Sequence, residues 1–173
     1  MITGVGAYRF YKDGEPHSKA VRALVRPGSE DTTYYEAYNA AIQFENGVDS
    51  FQLYKKSIFV PGAEFMPFRS VFWFLKPFVD KLGGTMACYG DQEERTPFTS
   101  KKGISVAPAI CYESVFGEYM TGYIRNGAQA IFIMTNDGWW DNTAGHKQHL
   151  KFASLRAIET RRSIARAANT GIS

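Results

Sequence analysis

Residues 103–110 read Gly-Ile-Ser-Val-Ala-Pro-Ala-Ile, and Cys111-Tyr112-Glu113-Ser114 follow without a break. An apolar run of this length, bounded by Gly103, predicts a buried strand. Helical signals take over at about Ser114 and run to Arg125, where Asn126-Gly127 stops them. Residues 130–134, Ala-Ile-Phe-Ile-Met, predict a second buried strand, and a loop rich in Asn, Asp, Gly and Trp covers 135–145. From His146 to about Thr160 the positions Leu150, Ala153, Ser154, Ala157 and Ile158 keep helical spacing, and 163–168 read as a last strand. Strand, helix, strand, helix, strand with apolar strands predicts an α/β sheet buried beneath helices.

Upstream the signals are more scattered. Residues 2–10 predict a strand, ended by the turn Lys12-Asp13-Gly14-Glu15-Pro16. Residues 17–37 are polar, lack a period and read mostly as loop. Residues 38–44 and 48–54 predict a hairpin around Glu45-Asn46-Gly47, a type I′ signal. Residues 65–79 are dense in aromatics, with Pro67 and Pro77 preventing one long helix. Residues 90–102 read mostly as loop.

The chain has 173 residues, 45% of them hydrophobic, 21% charged and 15% aromatic, which suits one globular domain and excludes a disordered or collagen-like chain. A net charge of +3 gives no reason to expect a nucleic-acid partner and leaves an anionic surface open. No run of 18 or more apolar residues occurs, and the opening Met1-Ile2-Thr3-Gly4-Val5-Gly6-Ala7 has no basic leader. The first residues read as though already inside a strand, and Asn169-Thr170-Gly171-Ile172-Ser173 reads as a turn leading onward. Both ends therefore suggest the middle of a larger catalytic domain. Cys88 and Cys111 cannot build a multi-bridge scaffold, and two unrelated thiols are expected.

Cys111 holds the position a displayed nucleophile needs, directly after a strand and before a helix whose start favours a thiolate. The same residue also reads as a small buried hydrophobe. Glu113 is a carboxylate suited to a helix start, and Tyr112 adds a hydroxyl. A thiol nucleophile needs a base and an oxyanion stabiliser. His146 and His149 are three apart on a helix, a metal spacing with no Cys or carboxylate set to complete it. Lys55 and Lys56 follow a strand and precede Phe59-Val60-Pro61-Gly62-Ala63-Glu64. A lysine there is ordinarily a solvated strand end.

Three blocks occur in a characteristic order: 54–64, containing Tyr54-Lys55-Lys56 and Val60-Pro61-Gly62-Ala63-Glu64; Ile110-Cys111-Tyr112-Glu113; and Thr135-Asn136-Asp137-Gly138-Trp139-Trp140. With Gln148-His149-Leu150, Arg156-Ala157-Ile158-Glu159 and Arg166-Ala167-Ala168-Asn169-Thr170-Gly171-Ile172, they resemble the nitrilase (carbon–nitrogen hydrolase) superfamily. The last third resembles its apolipoprotein N-acyltransferase branch. The Tyr38-Asn39 pair and Ile2-Thr3-Gly4 fit the same pattern, so the resemblance covers essentially the whole chain.

The resemblance implies a nitrilase-type αββα sandwich, incomplete at both ends, with a Glu-Lys-Cys site. Cys111 matches the nucleophile, Lys56 the catalytic lysine by its spacing to Val60-Pro61 and Glu64, and Glu64 the supporting carboxylate. Tyr112 and Glu113 match the residues after the nucleophile. Asn136 and Trp139 match a loop near the pocket, although Trp139 also reads as a packed loop anchor. Two departures stand out. The family's usual aromatic in Val-Pro-Phe-Gly-Glu is absent here, and no residue matches the general-base glutamate, so these 173 residues alone are expected to transfer no acyl group.

The implied reaction moves an acyl chain from a phospholipid donor to the amine of a diacylglyceryl lipoprotein acceptor through a Cys111 thioester, with no cofactor and no metal. It implies a membrane surface, on the periplasmic side of a bacterial inner membrane. Phe68, Phe72, Trp73 and Phe74 in 65–79 suit a membrane-facing arm or lid, and equally a helix packed on the core. Lys147, Lys151, Arg156, Arg161, Arg162 and Arg166 against Glu159 suit either anionic headgroups or a solvated helix face. The alternatives are a soluble amidase hydrolysing a small amide and a domain that only binds lipid or a partner.

Overall fold

The computed structural model describes residues 1–25, 28, 31–61, 63–64, 88–141 and 143–173. The expected aromatic arm at 65–79 lies outside the described residues, and so do Phe68, Phe72, Trp73 and Phe74. The chain divides into two compact units: Met1–Val5, Ala40–Lys56 and Gln92–Ser173 form the larger, and Gly6–Asn39 and Ser57–Asp91 the smaller.

The elements in order are β1 (Ile2–Phe10), β2 (Arg22–Val25), β3 (Thr32–Gln43), β4 (Gln52–Lys55), β5 (Phe98–Thr99), β6 (Ser105–Ile110), a 3-10 turn (Cys111–Val115), α1 (Gly117–Arg125), β7 (Ala130–Thr135), a 3-10 turn (Asp137–Trp140), α2 (Gly145–Thr160) and β8 (Ser163–Ala168). The expected α/β class therefore holds.

In the larger unit β5, β6, β7 and β8 form one sheet in that order, with β6, β7 and β8 parallel and β5 antiparallel at its edge. The parallel strands follow from the apolar runs, since a parallel sheet is covered on both faces. Ala107, Ala109, Ile131 and Ile133 are all buried. Pro108 sits inside β6 although proline cannot donate to a ladder. β5 pairs only with Ser105 and Val106, so Pro108 lies past the end of that pairing.

The end of β3 pairs antiparallel with β4, from Ala40 opposite Lys55 to Gln43 opposite Gln52. The amides of Gln43 and Gln52 donate to the Thr99 carbonyl at 3.4 and 2.7 Å, tying this hairpin to β5. A Cβ at Gly4 would lie 3.8 Å from that of Met134, so the start of β1 packs on β7. These contacts pack Met1–Val5 and Ala40–Lys56 on the β5–β8 sheet within the larger unit.

Three expectations change. The tight hairpin expected at Glu45-Asn46-Gly47 is instead an eight-residue connection between Gln43 and Gln52, with Gly47 at φ 69°. Lys101 caps it, its ammonium donating to the carbonyls of Asn46 and Gly47. Residues 17–37 are not mostly loop: β2 lies there, and β3 begins at Thr32, with Arg22 to Val25 opposite Tyr35 to Thr32. The expected helix from Ser114 divides into the 3-10 turn and α1, because Phe116 is extended at φ −94°, ψ 104°.

In the smaller unit Glu36 is buried in β3 and accepts hydrogen bonds from Ser18 Oγ and Tyr38 Oη. Burial pushes the Glu36 carboxyl up, and the hydroxyl bonds from Ser18, Tyr38 and Tyr11 outweigh it, holding it below its ordinary value.

Candidate active site

β6 runs straight into the turn that carries Cys111. Cys111 has φ 50°, a left-handed conformation costing a non-glycine residue about 1–2 kcal/mol. Its neighbours hold that turn closed. The Glu113 carboxylate reaches back to accept the Ile110 N–H at 2.7 Å, and Ser114 Oγ donates to the Cys111 carbonyl at 2.8 Å. His149 Nε2 lies 3.1 Å from that carbonyl oxygen and 3.2 Å from Ser114 Oγ. The Cys111 side chain is half-buried, and neither Cys111 nor Cys88 is in a disulfide.

Glu113 is 0% exposed, and its other oxygen accepts from Tyr54 Oη at 2.5 Å and Tyr119 Oη at 3.3 Å. Tyr54 and Lys56 are two apart at the end of β4 and share its inward face. Lys56 is 1% exposed while Lys55 is half-buried, so Lys56 is the inward-facing lysine of the pair. A cation is rarely buried this deeply without a task or a partner.

Lys56, Cys111, Tyr112, Glu113 and Asn136 belong to the larger unit, and Glu64 to the smaller. Tyr112 is half-buried and stacks edge-on against Phe116 at 5.1 Å. Asn136 is exposed and caps its 3-10 turn, accepting the Gly138 N–H at 3.1 Å. The Trp139 backbone lies in that turn, and its side chain is outside the described residues. Within the smaller unit Glu64 accepts from Asn39 Nδ2 and from the Val60 N–H, both at 2.9 Å, and closes the Val60–Glu64 turn.

The sequence reading passed over a buried ionic cluster behind Cys111. Asp137 accepts from His149 Nδ1 at 2.9 Å, from Thr135 Oγ1 at 3.0 Å and from Arg166. An ionised carboxylate and a carbonyl oxygen can only accept, so both bonds need a ring proton, on Nδ1 toward Asp137 and on Nε2 toward the Cys111 carbonyl. The β7–β8 register sets Ile133 opposite Arg166 and Thr135 opposite Ala168, which brings the guanidinium to the end of β7.

Two expectations about this region change. The inward face of α2 is His149, Ala153 and Arg156, whereas Ile158, expected inside, is 76% exposed. Arg156 and Arg166 do not join a surface cationic face. Their side chains are covered, Arg156 paired with Glu159 at 3.1 Å and Arg166 with Asp137. A lone cation inside an otherwise apolar strand was the available signal for the Arg166 pairing.

Burial pushes the Asp137 carboxyl up, but the bonds from Arg166, His149 and Thr135 hold it below the ordinary value. A depressed carboxylate stabilises the fold above its unfolded-state value and loses that contribution as pH falls through its folded-state value. Stability should therefore decline as pH drops below about 4, and Asp137→Asn should flatten that decline in urea titrations at a series of pH values.

Gly171 seats the chain over this cluster. Its φ is 117°, and a Cβ there would come within 2.8 Å of Asp137 Cβ. Gly171→Ala should cost about 1–3 kcal/mol, through positive φ and the clash together, read as a lower thermal midpoint.

Among curated proteins, this chain is 35% identical over 164 residues to the apolipoprotein N-acyltransferase of Chlorobaculum tepidum, covering 91% of this chain and 29% of that protein. It is 35% identical over 137 residues to the one from Agrobacterium fabrum, covering 79% and 25%. The chain thus spans under a third of the length of these relatives. Among solved structures, an amidase from Nesterenkonia sp. superposes with a TM-score of 0.50 at 20% identity, over 86% of this chain and 45% of that one, and supports the fold alone. Residues 20–173 match the carbon-nitrogen hydrolase family, and with the strand-turn-Cys111 arrangement and the buried Lys56 already in place, the chain belongs to it.

Proposed function

We propose that this chain is the nucleophile-bearing part of an apolipoprotein N-acyltransferase domain. The observation that carries the reading is the Cys111 turn: a half-buried thiol held at a left-handed position at the end of β6. The similarity to curated acyltransferases supports the choice of branch.

In this reading the Cys111 thiolate attacks the ester carbonyl of a phospholipid. The Lys56 ammonium stabilises the oxyanion that forms. Collapse of the tetrahedral adduct breaks the ester C–O bond, the leaving oxygen takes a proton, and lysophospholipid departs. The α-amine of a diacylglyceryl-cysteine lipoprotein then attacks the thioester. An amide forms, the C–S bond breaks, and the amine's proton leaves through a base. Tyr112, Glu113 and Asn136 shape the pocket in this reading. Lysine kept cationic for the oxyanion cannot also be that base. The 173 residues offer no match to the family's glutamate base, and by themselves they transfer no acyl group.

The aromatic segment 65–79 takes the membrane-facing role in this reading, on the periplasmic side of an inner membrane. Among the described residues no helix is long and apolar enough to cross a membrane.

The test uses the protein expressed from its own gene, supplied with phospholipid vesicles and a synthetic diacylglyceryl-cysteine lipopeptide. The expected product is the lipopeptide heavier by one acyl chain, dependent on phospholipid. Ammonia release from small amides with no lipopeptide acylation would instead identify an amidase.

A further inference from the structure

The ionic cluster beneath the Cys111 turn has no part in the steps above, yet it ends on the nucleophile's own backbone. Arg166 and Thr135 hold Asp137, Asp137 holds His149 Nδ1, and His149 Nε2 meets both the Cys111 carbonyl and Ser114 Oγ. Ser114 closes the ring by donating to the same carbonyl. His149 is buried, and the Arg166 and Asp137 side chains are 4% and 1% exposed. Solvent therefore competes weakly for these bonds.

Three successive elements take part, the 3-10 turn after β7, helix α2 and strand β8. They converge on one carbonyl, that of the residue in the left-handed conformation. A peptide plane is rigid, so fixing the Cys111 carbonyl fixes ψ of Cys111 and restricts where its Cβ and Sγ point. A strained residue persists only where its surroundings over-determine it.

We propose that His149, oriented by Asp137 and Arg166 and assisted by Ser114, is the positioning residue that holds the Cys111 thiol in its reactive direction. His149 touches neither substrate nor thiol in this role and acts through the Cys111 backbone. The inference rests on Cys111 being the nucleophile, and its test separates the two.

The measurement is the rate of iodoacetamide alkylation of Cys111 relative to Cys88 in the same folded chain, read by peptide mass spectrometry. Cys111 should react faster than Cys88 in the wild type. His149→Ala should slow Cys111 about tenfold without changing Cys88, the scale expected when a strained residue is released. His149→Gln keeps an N–H directed at the Cys111 carbonyl and should recover most of the rate, which general loosening of the fold would not do. Far-UV circular dichroism establishes that each variant is folded. Should His149→Ala fail to fold, Ser114→Ala is read instead; it removes one bond to the same carbonyl and should slow Cys111 about threefold. A wild-type Cys111 no faster than Cys88 overturns the nucleophile assignment and this inference with it. A fast wild-type Cys111 that keeps its rate in folded His149→Ala, or in Ser114→Ala, overturns the positioning role alone.

Discussion

In the protein expressed from its own gene, Cys111→Ala should abolish acyl transfer, lowering the rate by at least about 10³-fold, because the proposed thioester forms on that thiol. Cys111→Ser should come close to the same loss. A serine hydroxyl is far less acidic than a thiol, and the role proposed for Lys56 is to stabilise an anion, not to remove a proton. Neither substitution should unfold the chain. The side chain is half-buried, and the turn is held by Glu113, Ser114 and His149 rather than by sulfur. The unfolding free energy of Cys111→Ala should stay within about 1 kcal/mol of wild type. Parallel activity and urea-unfolding measurements check both halves, and a variant that keeps its activity would remove Cys111 from the reaction.

Glu113→Ala should have the opposite profile, a large loss of stability. The Glu113 carboxylate is fully buried and gathers the Ile110 N–H and the hydroxyls of Tyr54 and Tyr119. Alanine takes the acceptor from the buried Ile110 N–H, removes the carboxylate from beside the Tyr54 and Tyr119 hydroxyls, which keep each other at 2.5 Å, and opens the turn at its base. The expected cost is about 3–5 kcal/mol, the scale of breaking a buried charged network by removing one partner. Glu113→Gln keeps an oxygen acceptor, and the tyrosine hydroxyls can rotate to accept from its amide, so it should cost roughly 1–2 kcal/mol. Urea midpoints of the two variants measure the difference. Equal, small losses would mean that Glu113 does not organise the turn.

The larger unit was the more legible part of the sequence. The apolar runs at 105–110 and 130–135 can only be buried strands, and β8 spans 163–168 as expected. Their order around Cys111 carried the fold class and the placement of the candidate nucleophile at a strand end. β3 was harder because Glu36 and Tyr38 flank its middle. Glu36 reads as a solvated charge, whereas Ser18 and Tyr38 satisfy it inside the fold.

The division of the first helix was invisible for a related reason. It depends on Glu113 and Ser114 bonding backwards to Ile110 and Cys111, and side-chain to backbone bonds leave no periodicity. The cluster of Asp137, His149 and Arg166 was hidden because its members are scattered over 30 positions and meet only through the β7–β8 register. The helix reading favoured Leu150, Ala153, Ser154, Ala157 and Ile158 as inward residues, of which Ala153 is buried and Ile158 exposed. The buried face of α2 instead follows His149, since Asp137 and Cys111 supply the partners that its polar ring needs.

The central claim is that Cys111 carries the acyl group. The protein expressed from its own gene, incubated with phospholipid bearing a labelled acyl chain and no acceptor, should accumulate label that hydroxylamine releases. Peptide mapping should place it on Cys111, with none on Cys88 and none in Cys111→Ala. Lipopeptide acylation that proceeds with no labelled Cys111, or with label on another residue, would contradict the account.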